Sequence, residues 1–138
     1  MRIFALALTA AAVSSCTAGP PPGPVAMSPA NQERLAALLA GKVAGPPTGC
    51  LPTYRSDDMI VIDEHVIAFR DTGRRVYINN MQGGGCLNID GGRNALVTRT
   101  PTGRLCRGDI ATVLDTASRM TVGSCVFGDF IPYTTPGG

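Results

Sequence analysis

The chain is poor in the residues that most often carry chemistry. It has one histidine, no tryptophan and, beside eleven arginines, one lysine. A single imidazole argues against multi-histidine metal sites and gives a histidine-based triad no choice of base. Four Phe and three Tyr are too few for a base- or sugar-stacking platform. Charge of neither sign dominates: 12 Lys+Arg face 10 Asp+Glu, which argues against a general nucleic-acid or polyanion binder. No apolar run reaches the ~20 residues that a membrane-spanning helix needs. There is no Cys-x-x-Cys pair for zinc, no Asp-rich calcium loop and no Gly-x-Ser-x-Gly elbow. Gly83-Gly84-Gly85 lacks the Lys-Ser/Thr of a phosphate loop. No metal and no cofactor are expected.

What is present begins with an export pattern. Arg2 is followed by an apolar run over residues 3–13 and then by Ser14, Ser15 and Cys16. Residues 1–15 read as a signal peptide. Val13-Ser14-Ser15-Cys16 resembles the bacterial lipobox, in which cleavage precedes a Cys that becomes lipid-modified. Two or three acyl chains at Cys16 would anchor the chain stably, because each buried CH₂ contributes about 0.8 kcal/mol. Thr17, where Asp would favour retention at the inner membrane, points to the outer one. The alternative is ordinary cleavage near Ala18, which discards Cys16 and leaves a soluble periplasmic or secreted protein.

The cysteine count fits the first reading. Of five cysteines, setting Cys16 aside leaves Cys50, Cys86, Cys106 and Cys125, an even set suited to disulfides in an oxidising compartment. Four cysteines allow three pairings. Cys50–Cys86 with Cys106–Cys125 is preferred here, since each closes a moderate loop and the second pair could sit on neighbouring antiparallel strands.

The remaining ~120 residues make one domain. Residues 16–28, with Pro20-Pro21-Pro22, read as an extended tether; at about 3.1 Å per residue, the Gly/Pro-rich stretch from Ala18 to Pro29 reaches roughly 35 Å at most. Ser28-Pro29 is a helix start, and Leu35, Leu38, Leu39 and Val43 keep helical spacing, which predicts an amphipathic helix over residues 29–44; Gly41 or Gly45 can end it, and Pro46-Pro47 forbids continuation. Residues 45–133 read as a disulfide-stapled β domain. Strands are predicted at 59–62, 66–69 and 76–78 as a meander, and at 95–99 and 104–106 around Thr100-Pro101-Thr102-Gly103. Two more fall at 110–114 and 120–127. Residues 134–138 read as a disordered tail. The fold class is mainly β: a small antiparallel sheet curled into a barrel or sandwich, with one short N-terminal helix and two disulfides.

Cys50-Leu51-Pro52, Cys86-Leu87, Leu105-Cys106-Arg107-Gly108-Asp109 and Cys125-Val126-Phe127-Gly128-Asp129-Phe130 resemble a family of small exported proteins and lipoproteins of Gram-negative bacteria, a domain of unknown function. The resemblance spans about 50–132. It implies that the four cysteines are a framework, and it implies no activity.

Candidate binding residues follow from the same segments. Cys106-Arg107-Gly108-Asp109 and Cys125-Val126-Phe127-Gly128-Asp129 each set Gly-Asp after a cysteine. Asp109 and Asp129, brought together by a Cys106–Cys125 bond, could form a carboxylate pair that binds Ca²⁺ or does acid–base work. The simpler reading is a relaxed turn whose Asp binds backbone N–H groups. Arg104 and Arg107, with Arg99 nearby and Arg70, Arg74 and Arg75 at another turn, could hold a carboxylate, a phosphate or an acidic patch of an envelope protein. His65, between Glu64 and Val66, reads as an exposed turn residue. The expected function is a lipid-anchored periplasmic binding or structural accessory domain, an adaptor or inhibitor of an envelope protein. The alternative is a small hydrolase using Asp109 or Asp129.

Overall fold

In a computed structural model of the chain, residues 26–52, 55, 58–89 and 92–137 are described. Cys16, the signal peptide and most of the tether lie outside them. Ser28 caps the helix α1 (Pro29–Leu39): its hydroxyl accepts from Asn31 N, and proline occupies the first turn. Helix formation stops earlier than the leucine spacing suggests. Gly41 takes φ 69°, a left-handed turn that ends the helix. Val43 therefore leaves the helix and enters β1 (Val43–Ala44).

Among the described residues seven further strands follow: β2 (Met59–Val61), β3 (Val66–Thr72), β4 (Arg75–Asn80), β5 (Asn94–Thr98), β6 (Ile110–Asp115), β7 (Thr121–Val126) and β8 (Phe130–Thr134). They form two antiparallel sheets, ordered β1-β8-β4-β3-β2 and β5-β6-β7. The architecture is a sandwich rather than a closed barrel. The expected meander is present as β2-β3-β4, with Phe69 opposite Tyr77 and Met59 opposite Phe69.

Side-chain alternation divides the larger sheet between two cores. Ile67 and Phe69 of β3, Tyr77 of β4 and Phe130 of β8 face the smaller sheet, where they meet Ala111, Val113, Cys125 and Phe127. Phe69, Phe127 and Phe130 form one aromatic group, with ring centroids 5.7 to 6.2 Å apart. The intervening residues Val66, Ala68, Val76 and Ile78 face the other way and are covered by Leu35, Leu38 and Leu39 of α1. The layers are helix, five-stranded sheet and three-stranded sheet, each boundary filled by one parity of the same strands.

Several expectations are corrected. The cysteines pair as Cys50–Cys106 and Cys86–Cys125, not as Cys50–Cys86 and Cys106–Cys125. Loop length is a weak guide, because each doubling of a loop costs only about 0.6 kcal/mol, and sheet neighbours decide instead. Ala111 of β6, not Cys106, lies opposite Cys125. Cys106 lies opposite Cys50, where Leu51 N donates to Leu105 O and Arg107 N to Gly49 O. Segment 104–106 is accordingly no hairpin strand; β5 pairs with β6, and residues 99–109 form the loop between them. The turn at Gly103 is present, with φ 70°. At the C-terminal end, Thr134 belongs to β8 and Thr135 N donates to Arg74 O, so the ordered domain reaches past 133.

Candidate functional site

The segment 104–109 is built by its own backbone. Gly108 has φ 87°, which lets the chain turn back so that Gly108 N donates to Phe127 O and Phe127 N to Asp109 O. The Asp109 carboxylate then accepts from Cys106 N at 2.8 Å. Arg104 Nε donates to Leu51 O at 3.3 Å. Both side chains stitch the loop to its neighbours, as the turn reading of Gly-Asp anticipates.

The second Gly-Asp is held differently. Gly128 lies so close to the Asn80 carbonyl that a Cβ would collide with it. The fully buried Asn79 grips it from below: Gly128 N donates to Asn79 Oδ1 at 3.0 Å, and Asn79 Nδ2 donates to Gly128 O at 2.8 Å. Nothing in the sequence pattern singled out Asn79, because it reads as one polar residue at the end of a strand. Asp129 points outward and meets Arg107 at 3.2 Å. This ion pair is exposed on both sides, 59% for Arg107 and 44% for Asp129. The structure thus pairs Asp129 with Arg107 and gives Asp109 a backbone partner. It does not join the two carboxylates through a Cys106–Cys125 bond.

Two other sequence candidates also have local work. Arg75 pairs with Asp71 at 3.6 Å. His65 is half-buried in its turn; its N–H donates to Asp63 Oδ1 at 2.7 Å. The pocket beside Leu51, Phe69 and Tyr77 offers only about 10 Å³, room for no more than about one water. Among the described residues no three metal-ligating side chains converge, and no helix is long and apolar enough to cross a membrane.

The surface that stands out is the outer side of the smaller sheet, which strand reading did not flag. Ala111, Val113 and Cys125 point inward, so by alternation Ala95, Val97, Ile110, Thr112, Leu114, Ser124 and Val126 point to solvent. None of the seven is charged. Val97 is 40% and Ile110 62% exposed. At one end this face runs into an open concavity of about 530 Å³ bounded by Val97, Arg99, Pro101, Asp109, Ile110 and Thr112. The stitched loop that carries Arg104, Arg107 and Asp109 forms its rim. No family model matches the chain, and neither a curated protein nor a solved structure matches it.

Proposed function

We propose that the chain is an exported binding module, anchored at the periplasmic face of the outer membrane through Cys16, whose three-stranded sheet docks on an envelope protein. The observation that carries this reading is the uncharged outer face of β5-β6-β7, with Val97 exposed on the edge strand β5 and Ile110 exposed at the end of β6. A soluble surface normally breaks such a face with charge, and a retained one marks an interaction site. Two supports lie beside it. The disulfides Cys50–Cys106 and Cys86–Cys125 suit folding in an oxidising compartment and stiffen the module, which limits the entropy lost on binding. The resemblance to exported Gram-negative proteins agrees with the same location. The hydrolase alternative draws no support from Asp109 and Asp129, whose carboxylates are occupied by Cys106 N and Arg107.

Two experiments test the reading. Envelope extract is passed over the oxidised chain, the reduced chain and an Ile110→Glu variant. A saturable protein retained by the first and lost from the other two is the expected result; retention by all three overturns the sheet face as the docking surface. For the anchor, Cys16→Ser should move the protein from the membrane to the soluble fraction. A Cys16→Ser chain that stays membrane-bound overturns lipidation.

A further inference from the structure

The sandwich is closed along one side and open along the other. On the closed side, Gln82 N donates to Val126 O at 2.9 Å and the Cys86–Cys125 bond ties the exit of β4 to β7. On the open side, β2 and β5 end their respective sheets and do not pair with each other. A groove of about 540 Å³ lies there, lined among others by Arg34, Met59, Val61, Ile89 and Asn94. Met59 and Val61 of β2 and Leu96 of β5 pack on the inter-sheet core yet stay partly exposed. The core therefore reaches the surface where one more strand would cover it.

Proteins guard strand edges against unwanted pairing, and the edges here are guarded unequally. β1 has two residues. β2 has three, and Arg34 covers it by donating to Val61 O at 2.9 Å. The flank of β7 is covered by Gln82 and by Asn88, whose Nδ2 donates to Val122 O at 2.9 Å. β5 has five residues, Asn94-Ala95-Leu96-Val97-Thr98, with no charge and no proline. Among the described residues the one strand that pairs with it is β6. Beside the groove the Asn94 Oδ1 is shielded from solvent without a hydrogen-bond donor among the described residues.

Charge selects the occupant. Arg93 and Arg99 stand exposed at the two ends of β5. A second copy pairing antiparallel about Leu96 would set Arg93 opposite Arg99 twice, and like charges directly opposite are destabilising. Among the described residues Asp115 is an acid that Arg93 attracts, but that carboxylate already accepts from Ala117 N and from Ser118 N and Oγ. Resting on the binding-module reading above, we propose that β5 takes up, by strand addition, an extended segment of a partner protein with about five uncharged residues bounded by acidic ones. Backbone bonds to β5 would hold it, and alternate apolar side chains would cover Leu96, Val61 and Met59.

The test uses the full oxidised chain and labelled synthetic peptides. One has the sequence Asp-Val-Thr-Val-Thr-Val-Asp, a second carries Lys at both ends, and a third is the acidic peptide with its central Val replaced by Pro. Fluorescence anisotropy should show the acidic peptide binding about tenfold tighter than the basic one. The proline peptide should lose binding, and hydrogen exchange should slow across residues 94–98. The Arg93→Glu/Arg99→Glu variant, altered only at exposed positions, should prefer the basic peptide. Equal binding of both peptides, no binding of either, an unreversed preference, protection away from β5 or a β5-paired dimer each overturns the proposal. If the peptides fail while Ile110→Glu still abolishes partner capture, strand addition falls and the docking face stands.

Discussion

At Gly128 a missing side chain matters more than the charged ones around it. A Cβ there meets the Asn80 carbonyl, and neither backbone can yield without breaking the pair of hydrogen bonds to Asn79. Gly128→Ala should therefore lower unfolding free energy by about 1–3 kcal/mol, and Asn79→Ala by about 1–3 kcal/mol through the buried groups it strands. Asp129→Ala removes only an exposed ion pair and should change stability by less than about 1 kcal/mol. Asp109→Ala, which uncaps Cys106 N, should fall between them at about 1 kcal/mol. Urea denaturation of the four variants checks the order; a larger loss at Asp129 than at Gly128 would refute it.

Asp115 gives the residue scale a pH signature. Hydrogen bonds from the Ser118 backbone and hydroxyl, then from Ala117 N, together with the positive charge of Arg93, hold its carboxyl below the ordinary aspartate value, against a smaller opposing effect of burial. The unfolded chain lacks these donors, so it binds a proton at higher pH than the folded one. The resulting stability is present above the ordinary aspartate value and is lost as pH falls through the depressed folded value. Ser118→Ala should raise the Asp115 midpoint, followed by carboxyl NMR, and should shrink the loss of thermal stability on acidification. An Asp115 titration unmoved by Ser118→Ala would assign the depression to other groups.

At the scale of elements, α1 is the layer held least firmly. Leu35, Leu38 and Leu39 are only partly buried against the sheet, and no helix residue is fully buried. An eleven-residue helix is marginal alone, so docking sustains it. Leu38→Ala should cost about 1–2 kcal/mol, below the 2–5 kcal/mol of a buried leucine. Hydrogen exchange should show α1 amides opening before those of β3 and β4; simultaneous opening would mean the helix is integral to the core.

The strands show which parts of the fold were readable from residues. β3 and β4 announce themselves because Val66-Ile67-Ala68-Phe69 and Val76-Tyr77-Ile78 are apolar on both faces, as a sheet covered on both sides requires. β8 was hidden by Pro132, a residue that normally disqualifies a paired strand. The structure accommodates it because the Pro132 carbonyl accepts from Gly45 N on the β1 side. A strand residue's N–H points the same way as its carbonyl, so the missing N–H faces β1, a two-residue strand ending at Ala44. The β4 ladder loses nothing. Of the two glycines the sequence offers as helix stops, Gly41 ends α1 before Val43, a choice that the leucine stripe alone does not make. At the candidate site, the turn role of Asp109 was legible in Gly-Asp spacing. The Asn79 grip was not, since it depends on partners 49 positions away.

On the scale of the whole molecule, the two disulfides are interleaved: Cys86 lies inside the loop closed by Cys50–Cys106, and Cys106 inside that closed by Cys86–Cys125. The closures span 56 and 39 positions, a difference that chain entropy converts to only about 0.3 kcal/mol. Burial should separate them instead. Cys86 is 0% and Cys125 4% exposed in the inter-sheet core, so replacing that pair by alanine should cost more than replacing the half-buried Cys50 and Cys106. Interleaving also has a covalent consequence that the sequential pairing lacks. A single cut after Arg93 or Arg99, both exposed and both between Cys86 and Cys106, separates a half with Cys50 and Cys86 from a half with Cys106 and Cys125. Under the interleaved pattern both bonds cross the cut. The nicked chain should therefore migrate as one species without reductant and as two with it, and peptide mass mapping should recover Cys50 linked to Cys106 and Cys86 to Cys125. Halves that part without reductant would restore the sequential pairing, and with it a sheet order in which residues 104–106 neighbour β7.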